Sequence, residues 1–279
     1  MVLELRDRAL PLEPPVVVGI LNLAPDSFSD GGEVAGPGEA ARRAERLVAE
    51  GALLVDLGAE STRPGAEPVP LEVERKRLIP ALRAVLALGV AVSVDTRKPE
   101  LAEEALDLGA HLVNDTSGLA DLRMAEVAGR YRAPLVVMHT PDPDPRRMMA
   151  AARYLDVVAE VRAFLITRAR RAERAGVHQV ILDPGIGFGK LAEHNLALLG
   201  RLDEIASLGY PVLVGASRKR TIGELTGVAD PAERACGSVG AHLAAVKNGA
   251  RLIRVHDVAA HREALAVFWA VEGRGQDRP

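Results

Sequence analysis

At 279 residues the chain could hold two small domains or one large α/β domain, and 48% hydrophobic with 26% charged residues is the composition of a soluble globular protein. The 35 Lys and Arg nearly balance the 38 Asp and Glu, and a net charge of −3 gives no footprint for nucleic acid or a membrane surface. The single cysteine, Cys236, excludes an internal disulfide and a Cys-rich zinc site and suits a reducing cytoplasm, so small-molecule chemistry is the expectation that remains.

Residues 1–15, MVLELRDRALPLEPP, mix acidic and basic side chains without the apolar core of a signal peptide. No stretch approaches the roughly 18 uninterrupted apolar residues of a membrane span, so neither export nor spanning is expected. This segment is taken as an N-terminal extension. Eight short apolar runs follow: VVVGILN (16–22), ALLVDLG (52–58), VAVSVD (90–95), HLVND (111–115), PLVVMH (134–139), QVILD (179–183), PVLVGAS (211–217) and RLIRVH (251–256). Amphipathic stretches rich in Ala, Glu, Leu and Arg separate them, and punctuation such as EALDLGA and ERAGV marks helix ends. Runs apolar on both faces suit a parallel sheet covered on both sides. Eight strand and helix pairs without a composition break predict one (β/α)8 TIM barrel over 16–271, with 272–279 as a flexible tail.

In such barrels ligands sit at the carboxyl ends of the strands. Here every strand ends polar: Asn22, Asp56, Asp95, Asn114 with Asp115, His139, Asp183, Ser217 with Arg218 and Lys219, and Arg254 with His256. One polar strand end usually caps the next helix. Eight converging on one mouth predict a site.

Seven stretches spread over residues 16–260 make the expectation specific. GILNLAPDSFSDGG (19–32), ESTRPGA (60–66), SVDT (93–96), GAHLVNDTSG (109–118), DPGIGFGK (183–190), GASRK (215–219) and RVHDV (254–258) resemble, in order and spacing, the dihydropteroate synthase family. The resemblance implies a transferase that joins 6-hydroxymethyl-7,8-dihydropterin diphosphate to 4-aminobenzoate and releases pyrophosphate, on a barrel that is often a homodimer.

A pterin edge presents an amino group and a ring N–H, which one carboxylate can accept as a pair; Asp183 is the candidate. The resemblance places Asp95, Asn114 and Lys219 in the same pocket, and Met138 and Phe188 can wall it. Arg254 and His256 alternate about Val255 on the last strand and so face one side, towards the diphosphate. The resemblance adds Asn22, Thr62, Arg63 and Ser217 to that cradle, and it implies Mg²⁺ held by Asn22 and Asp30 together with the diphosphate, since this ion takes few protein oxygens besides phosphate. Aminobenzoate is expected near the start of the helix opening at Arg220 and Thr221. Phe28, Thr62, Arg63, Pro64, Arg218 and Lys219 would flank it. Many relatives have Ser in place of Arg220, so that side-chain contact does not carry over, and GAEST has Ala59 where GGEST is more usual, a change expected to be tolerated. The diphosphate would leave from a CH₂ on an electron-rich ring, with Asp95 stabilising the cation that remains and Arg254 and His256 the departing charge. Asp95, Lys219, Arg254 and His256 are the expected catalytic set, with no covalent nucleophile.

GFGKLA (187–192) matches a dinucleotide fingerprint but follows DPGI rather than coming straight off a strand, and GIGFGKL lacks the first Gly and the Ser or Thr of a P-loop. A methyltetrahydrofolate-dependent methyltransferase shares acids like Asp95 and Asp183 but gives no reason for ESTRPGA, SRK and RVH together. A non-catalytic pterin-binding homologue is the other alternative, and intact loops argue against it.

Overall fold

Two short strands, β1 (Val2–Glu4) and β2 (Ala9–Pro11), pair antiparallel before the barrel begins. The eight apolar runs then form parallel strands β3 (Val16–Asn22), β4 (Leu54–Gly58), β5 (Val92–Asp95), β6 (Leu112–Asp115), β7 (Leu135–Met138), β8 (Val180–Asp183), β9 (Leu213–Val214) and β10 (Leu252–Val255). The computed structural model describes residues 1–24 and 36–273; Phe28, Asp30 and the tail from residue 274 lie outside the described residues. Sheet order is β8-β7-β6-β5-β4-β3-β10-β9, and a single parallel bridge between Leu182 and Val212 joins β8 to β9 and completes the ring.

Helices follow each strand in turn: α1 (Pro37–Ala49), α2 (Leu71–Leu86), α3 (Pro99–Asp107), α4 (Arg123–Arg130), α5 (Pro145–Met148) with α6 (Val157–Arg174), α7 (Ala192–Gly200) with α8 (Asp203–Ala206), α9 (Arg220–Thr226) with α10 (Ala235–Lys247), and α11 (Val258–Val271). α6 illustrates local encoding. Asp156 caps its start by accepting the Val158 and Ala159 N–H groups (3.0 and 3.2 Å), and the glycine of ERAGV follows its end. No helix among the described residues is long and apolar enough to cross a membrane.

One strand departs from expectation. The run 211–217 forms a strand only at Leu213–Val214, because the residues beyond it turn away from the ladder into the loop before α9. The amino-terminal extension, in turn, is part of the packing. Leu3, Leu5 and Leu12 are buried against Val16, Val18, Leu54, Leu112, Val136, Ile181, Leu213 and Leu252, so the β1–β2 hairpin plugs the bottom of the barrel. Gln179 clips it there, accepting Glu4 N–H (2.7 Å) and donating to the Val2 carbonyl (3.1 Å).

This plug defines the interior register. Strand side chains alternate between faces, so a step of two from each lower-layer apolar residue stays inside the barrel. Leu54 leads to Asp56, Leu112 to Asn114, Val136 to Met138, Ile181 to Asp183 and Leu252 to Arg254. The intervening residues Val55, Val113, Val137, Leu182 and Ile253 instead join the core between strands and helices. The barrel is therefore apolar at its amino end and polar at its carboxyl end.

Candidate active site

Arg254 crosses this polar layer. Its Nε donates to Asp56 Oδ2 (2.6 Å) and its Nη2 to Asp95 Oδ2 (3.0 Å), while the Asn114 amide also donates to Asp56 Oδ2 (3.1 Å). Two carboxylates thus share one guanidinium. Burial pushes Asp95 up to about 8, with Arg254 opposing the rise and the Asp56 charge adding to it. Burial works against the Arg254 charge, but Asp56 and Asp95 outweigh it and hold its proton more firmly than usual. The remaining oxygens, Asp56 Oδ1, Asp95 Oδ1 and Asn114 Oδ1, are buried with no hydrogen-bond partner. Asn114 turns its NH₂ towards Asp56, so its bare carbonyl oxygen is available as an acceptor.

Asp183 sits at the end of β8, where its Oδ1 accepts Gly185 N–H (2.7 Å). Burial raises its pKa, against the pull of that hydrogen bond and of Lys219. Gly185 has φ 67°, and a Cβ there would lie 2.0 Å from the His139 carbonyl oxygen, so only glycine lets the DPGIGFGK loop fold back against β7. Lys219 lies along that loop: Nζ donates to the Ile186 carbonyl and stands 4.1 Å from the centre of the Phe188 ring. Burial pulls Lys219 down to about 7, with Asp183 opposing the shift. Met138 is buried in the same interior register.

Ser217 Oγ accepts His256 N–H (3.1 Å) and lies 3.0 Å from His256 Nδ1. Either group can donate in that contact, according to the tautomer of the ring. Burial, reinforced by Arg218 and Arg254, pushes His256 down to about 3, so it is a neutral donor. At the far side of the mouth, Asn22 Oδ1 accepts Ala24 N–H (2.9 Å), and an amide oxygen has a second lone pair free for another partner.

Thr62 is half-buried and Arg63 and Pro64 are exposed on the loop after β4. Arg220 does not turn inwards: its side chain is 84% exposed and pairs with Glu224 one turn along α9 (2.5 Å). Arg218 is tied to Asp257 (Nε to Oδ2, 3.0 Å). Ala59 is fully buried in the core, which accommodates its methyl group. Asp95, Asn114, Met138, Asp183, Phe188, Lys219, Ser217, Arg254 and His256 are thus brought to one end of the barrel or the loops above it, with Arg220 outside the group.

The strand-end rule picked out Asp56, which lies in the middle of β4, but nothing local announces that it joins Arg254 to Asn114, and other functional features escaped the rule altogether. Glu60 accepts from Arg97 (2.8 Å), Lys98 (3.0 Å) and the Val69 amide (2.8 Å), binding the loop after β4 to the one after β5. Burial works to raise its pKa, and these donors outweigh it to lower it. Lys190, which completes the false P-loop pattern, is buried with Nζ on the Gly185 and Phe188 carbonyls (2.9 and 3.0 Å) and beside His139 Nδ1 (2.9 Å). Its ammonium braces the loop from within. Extending the strand-end rule by two to four residues would have found Glu60, Arg97 and Lys98.

Fold and site together define an α/β-barrel enzyme with buried, unpartnered acidic and amide oxygens at its carboxyl end. Residues 18–256 match the family described as pterin binding enzyme. Dihydropteroate synthase of Escherichia coli K12 is 43% identical over 273 residues, covering 97% of this chain and 96% of that one. The dihydropteroate synthase of Thermus thermophilus solved with 4-aminobenzoate is 64% identical with a TM-score of 0.90, over 97% of this chain and 100% of that one. The Xanthomonas albilineans enzyme solved with 7,8-dihydropteroate is 43% identical with a TM-score of 0.87, over the full length of both. The chain belongs to the dihydropteroate synthase family of pterin-binding enzymes.

Proposed function

We propose that this barrel binds 6-hydroxymethyl-7,8-dihydropterin diphosphate and 4-aminobenzoate and forms 7,8-dihydropteroate and pyrophosphate. The observation that carries this reading is the set of buried, partnerless acceptors, Asp56 Oδ1, Asp95 Oδ1 and Asn114 Oδ1. Leaving such atoms unsatisfied costs about 1–3 kcal/mol each. An amino-pterin brings the amino and ring N–H donors that would relieve this cost. Asp183 takes the amino and ring N–H pair with its second oxygen, Lys219 donates to a ring acceptor, and Phe188 and Met138 form the walls.

The diphosphate lies towards Ser217, the neutral imidazole of His256, the remaining N–H groups of Arg254 and, across the mouth, Asn22, Thr62 and Arg63. The C–O bond to the methylene carbon breaks with the electron pair leaving on the diphosphate. Positive charge spreads into the ring beside Asp95, whose proton that developing charge would help to displace, so that the side chain lowers its energy. The arylamine nitrogen then bonds to the methylene carbon and gives up one proton. Arg254 links both halves of this event, touching Asp95 on one side and serving the leaving group on the other.

Among the described residues no cluster of three His, Cys, Asp or Glu forms a metal site. The unused lone pair of Asn22 Oδ1 fits Mg²⁺, which takes few protein oxygens when a diphosphate supplies the rest. Bound there, the ion would neutralise charge on the leaving diphosphate, with Asp30, which lies outside the described residues, as the second protein ligand expected from the sequence. Aminobenzoate enters between Thr62, Arg63 and Pro64 on one side and Lys219 on the other, with Arg220 at the rim; Phe28, expected from the sequence to flank it, lies outside the described residues. A homodimer is supported by helices α7, α9 and α11, each packed against α10, which expose Leu196, Leu225, Val267 and Val271. A cytoplasmic setting fits the single, unpaired cysteine. Incubating the purified protein with the pterin diphosphate, 4-aminobenzoate and Mg²⁺ tests the reading: dihydropteroate and pyrophosphate are expected in equal amounts, and their absence would overturn it.

A further inference from the structure

Because β9 ends at Val214, residues 215–219 have no sheet ladder to hold them, although they carry Ser217 and Lys219. Arg218 adopts φ 58°, a conformation an L residue keeps only when its surroundings hold it. The polar groups of this backbone turn to α10 instead. Ala216 N–H donates to His242 Nε2 (3.0 Å), Arg218 N–H donates to Ser238 Oγ (2.9 Å), and Arg234 Nη1 donates to the Arg218 carbonyl (3.2 Å). Arg234, Ser238 and His242 are spaced four apart, so they stack along one face at the start and through the first turns of the helix. That face takes the place of a neighbouring strand.

The proton positions along it follow from the geometry. His242 accepts at Nε2, so its ring proton is on Nδ1, which faces His261 Nε2 at 2.9 Å. His261 in turn carries its proton on Nδ1 and donates to the Asp257 carbonyl (2.6 Å). The Asp257 carboxylate holds the Arg218 guanidinium, which closes a circuit from Ala216 through His242, His261 and Asp257 back to Arg218. Both imidazoles are buried, and burial pushes His242 down to about 3 and His261 below its ordinary value, so both rings are neutral.

We propose that the Arg234, Ser238 and His242 face of α10, with His261 fixing the tautomer of His242, is a positioning device that holds Ser217 and Lys219 in register for the pterin diphosphate. These residues act through the backbone of 215–219, and the proposal rests on the function given above. A core that merely needed filling would accept any ring of similar size at 242. A positioning device needs an acceptor there.

Long-range proton–nitrogen NMR of the wild-type histidines should show Nδ1–H tautomers for both His242 and His261; an Nε2–H tautomer at His242 would overturn the proposal. His242→Phe keeps the volume without an acceptor, and should raise KM for the pterin diphosphate tenfold or more and speed amide exchange at Ala216. His242→Gln, which has an amide oxygen to accept and an NH₂ to donate, should keep KM within threefold of wild type and Ala216 protected. A silent His242→Phe, or a His242→Gln as impaired as the Phe variant, would refute the idea. If His242→Phe fails to fold, Ser238→Ala removes the acceptor for Arg218 N–H together with the Ser238 Oγ donation to the Arg234 carbonyl (2.6 Å), and an unchanged KM there would count against the device. A wild type that makes no dihydropteroate would defeat the functional reading alone, while the tautomers and Ala216 exchange would still decide the positioning claim.

Discussion

Replacing Asp183 with Asn exchanges one oxygen for an NH₂ with almost no change of shape, and the structure fixes where that NH₂ must go. If the amide oxygen keeps Gly185 N–H, now accepted at 2.7 Å, the NH₂ faces the pocket where the pterin presents its own donors. If the amide flips, the NH₂ meets Gly185 N–H at the same short range, and the loop cannot retreat because Gly185 is wedged against the His139 carbonyl. Either orientation sets donor against donor. Losing a hydrogen bond to a charged group and leaving a ring donor unsatisfied costs about 2–4 kcal/mol, or roughly 30- to 700-fold in Kd. Calorimetric titration of Asp183→Asn with the pterin diphosphate should show that loss, with a melting temperature close to that of wild type, since a buried carboxylate whose charge is disfavoured is being neutralised. A Kd within threefold of wild type would refute the assignment of the amino and ring N–H pair to Asp183.

Arg254→Ala should do more than raise KM for the diphosphate substrate: it leaves Asp56 and Asp95 buried without their shared cation. Breaking such a pair costs about 3–5 kcal/mol of folding stability, measurable by urea unfolding, and an unchanged midpoint would mean that these contacts carry no structural weight. A 4-aminobenzoate mimic, including a sulfonamide, should bind tightly only with Mg²⁺ and pyrophosphate present, because protein oxygens alone are too few to hold the ion; equal affinity with and without them, in wild type and Asp30→Ala alike, would exclude that coupling. Asp95 has a folded pKa near 8 against an ordinary 3.8, so the folded state binds the extra proton between those values and loses stability as pH rises through that window. Asp95→Asn should therefore gain stability relative to wild type as pH rises from about 5 to 9, and a gap independent of pH would show that Asp95 stays ionised throughout.

Local sequence determined the repeating pattern and the mouth. Eight apolar runs with helical stretches between them dictate a parallel sheet covered by helices, and the last residue of a strand must stand at its carboxyl end, so Asn22, Asp95, Asn114 and Asp183 were placed by sequence alone. The alternation of side chains along RLIRVH likewise put Arg254 and His256 on one face. The tertiary structure decided their partners. Arg254 and Asp56 are 198 positions apart, and only closure of the ring brings them within 2.6 Å. Lys190 looked like half of a phosphate loop, yet the fold turns its ammonium onto two carbonyls of its own loop. The seventh apolar run suggested a strand to residue 217, and its early end shows why pattern alone fell short: hydrophobicity marks which backbone is buried, whereas the groups that satisfy its N–H and C=O depend on what packs alongside. For residues 215–219 that neighbour is α10, whose Arg234, Ser238 and His242 stand on the sequence as an ordinary polar stripe until the barrel brings Ala216 and Arg218 against them.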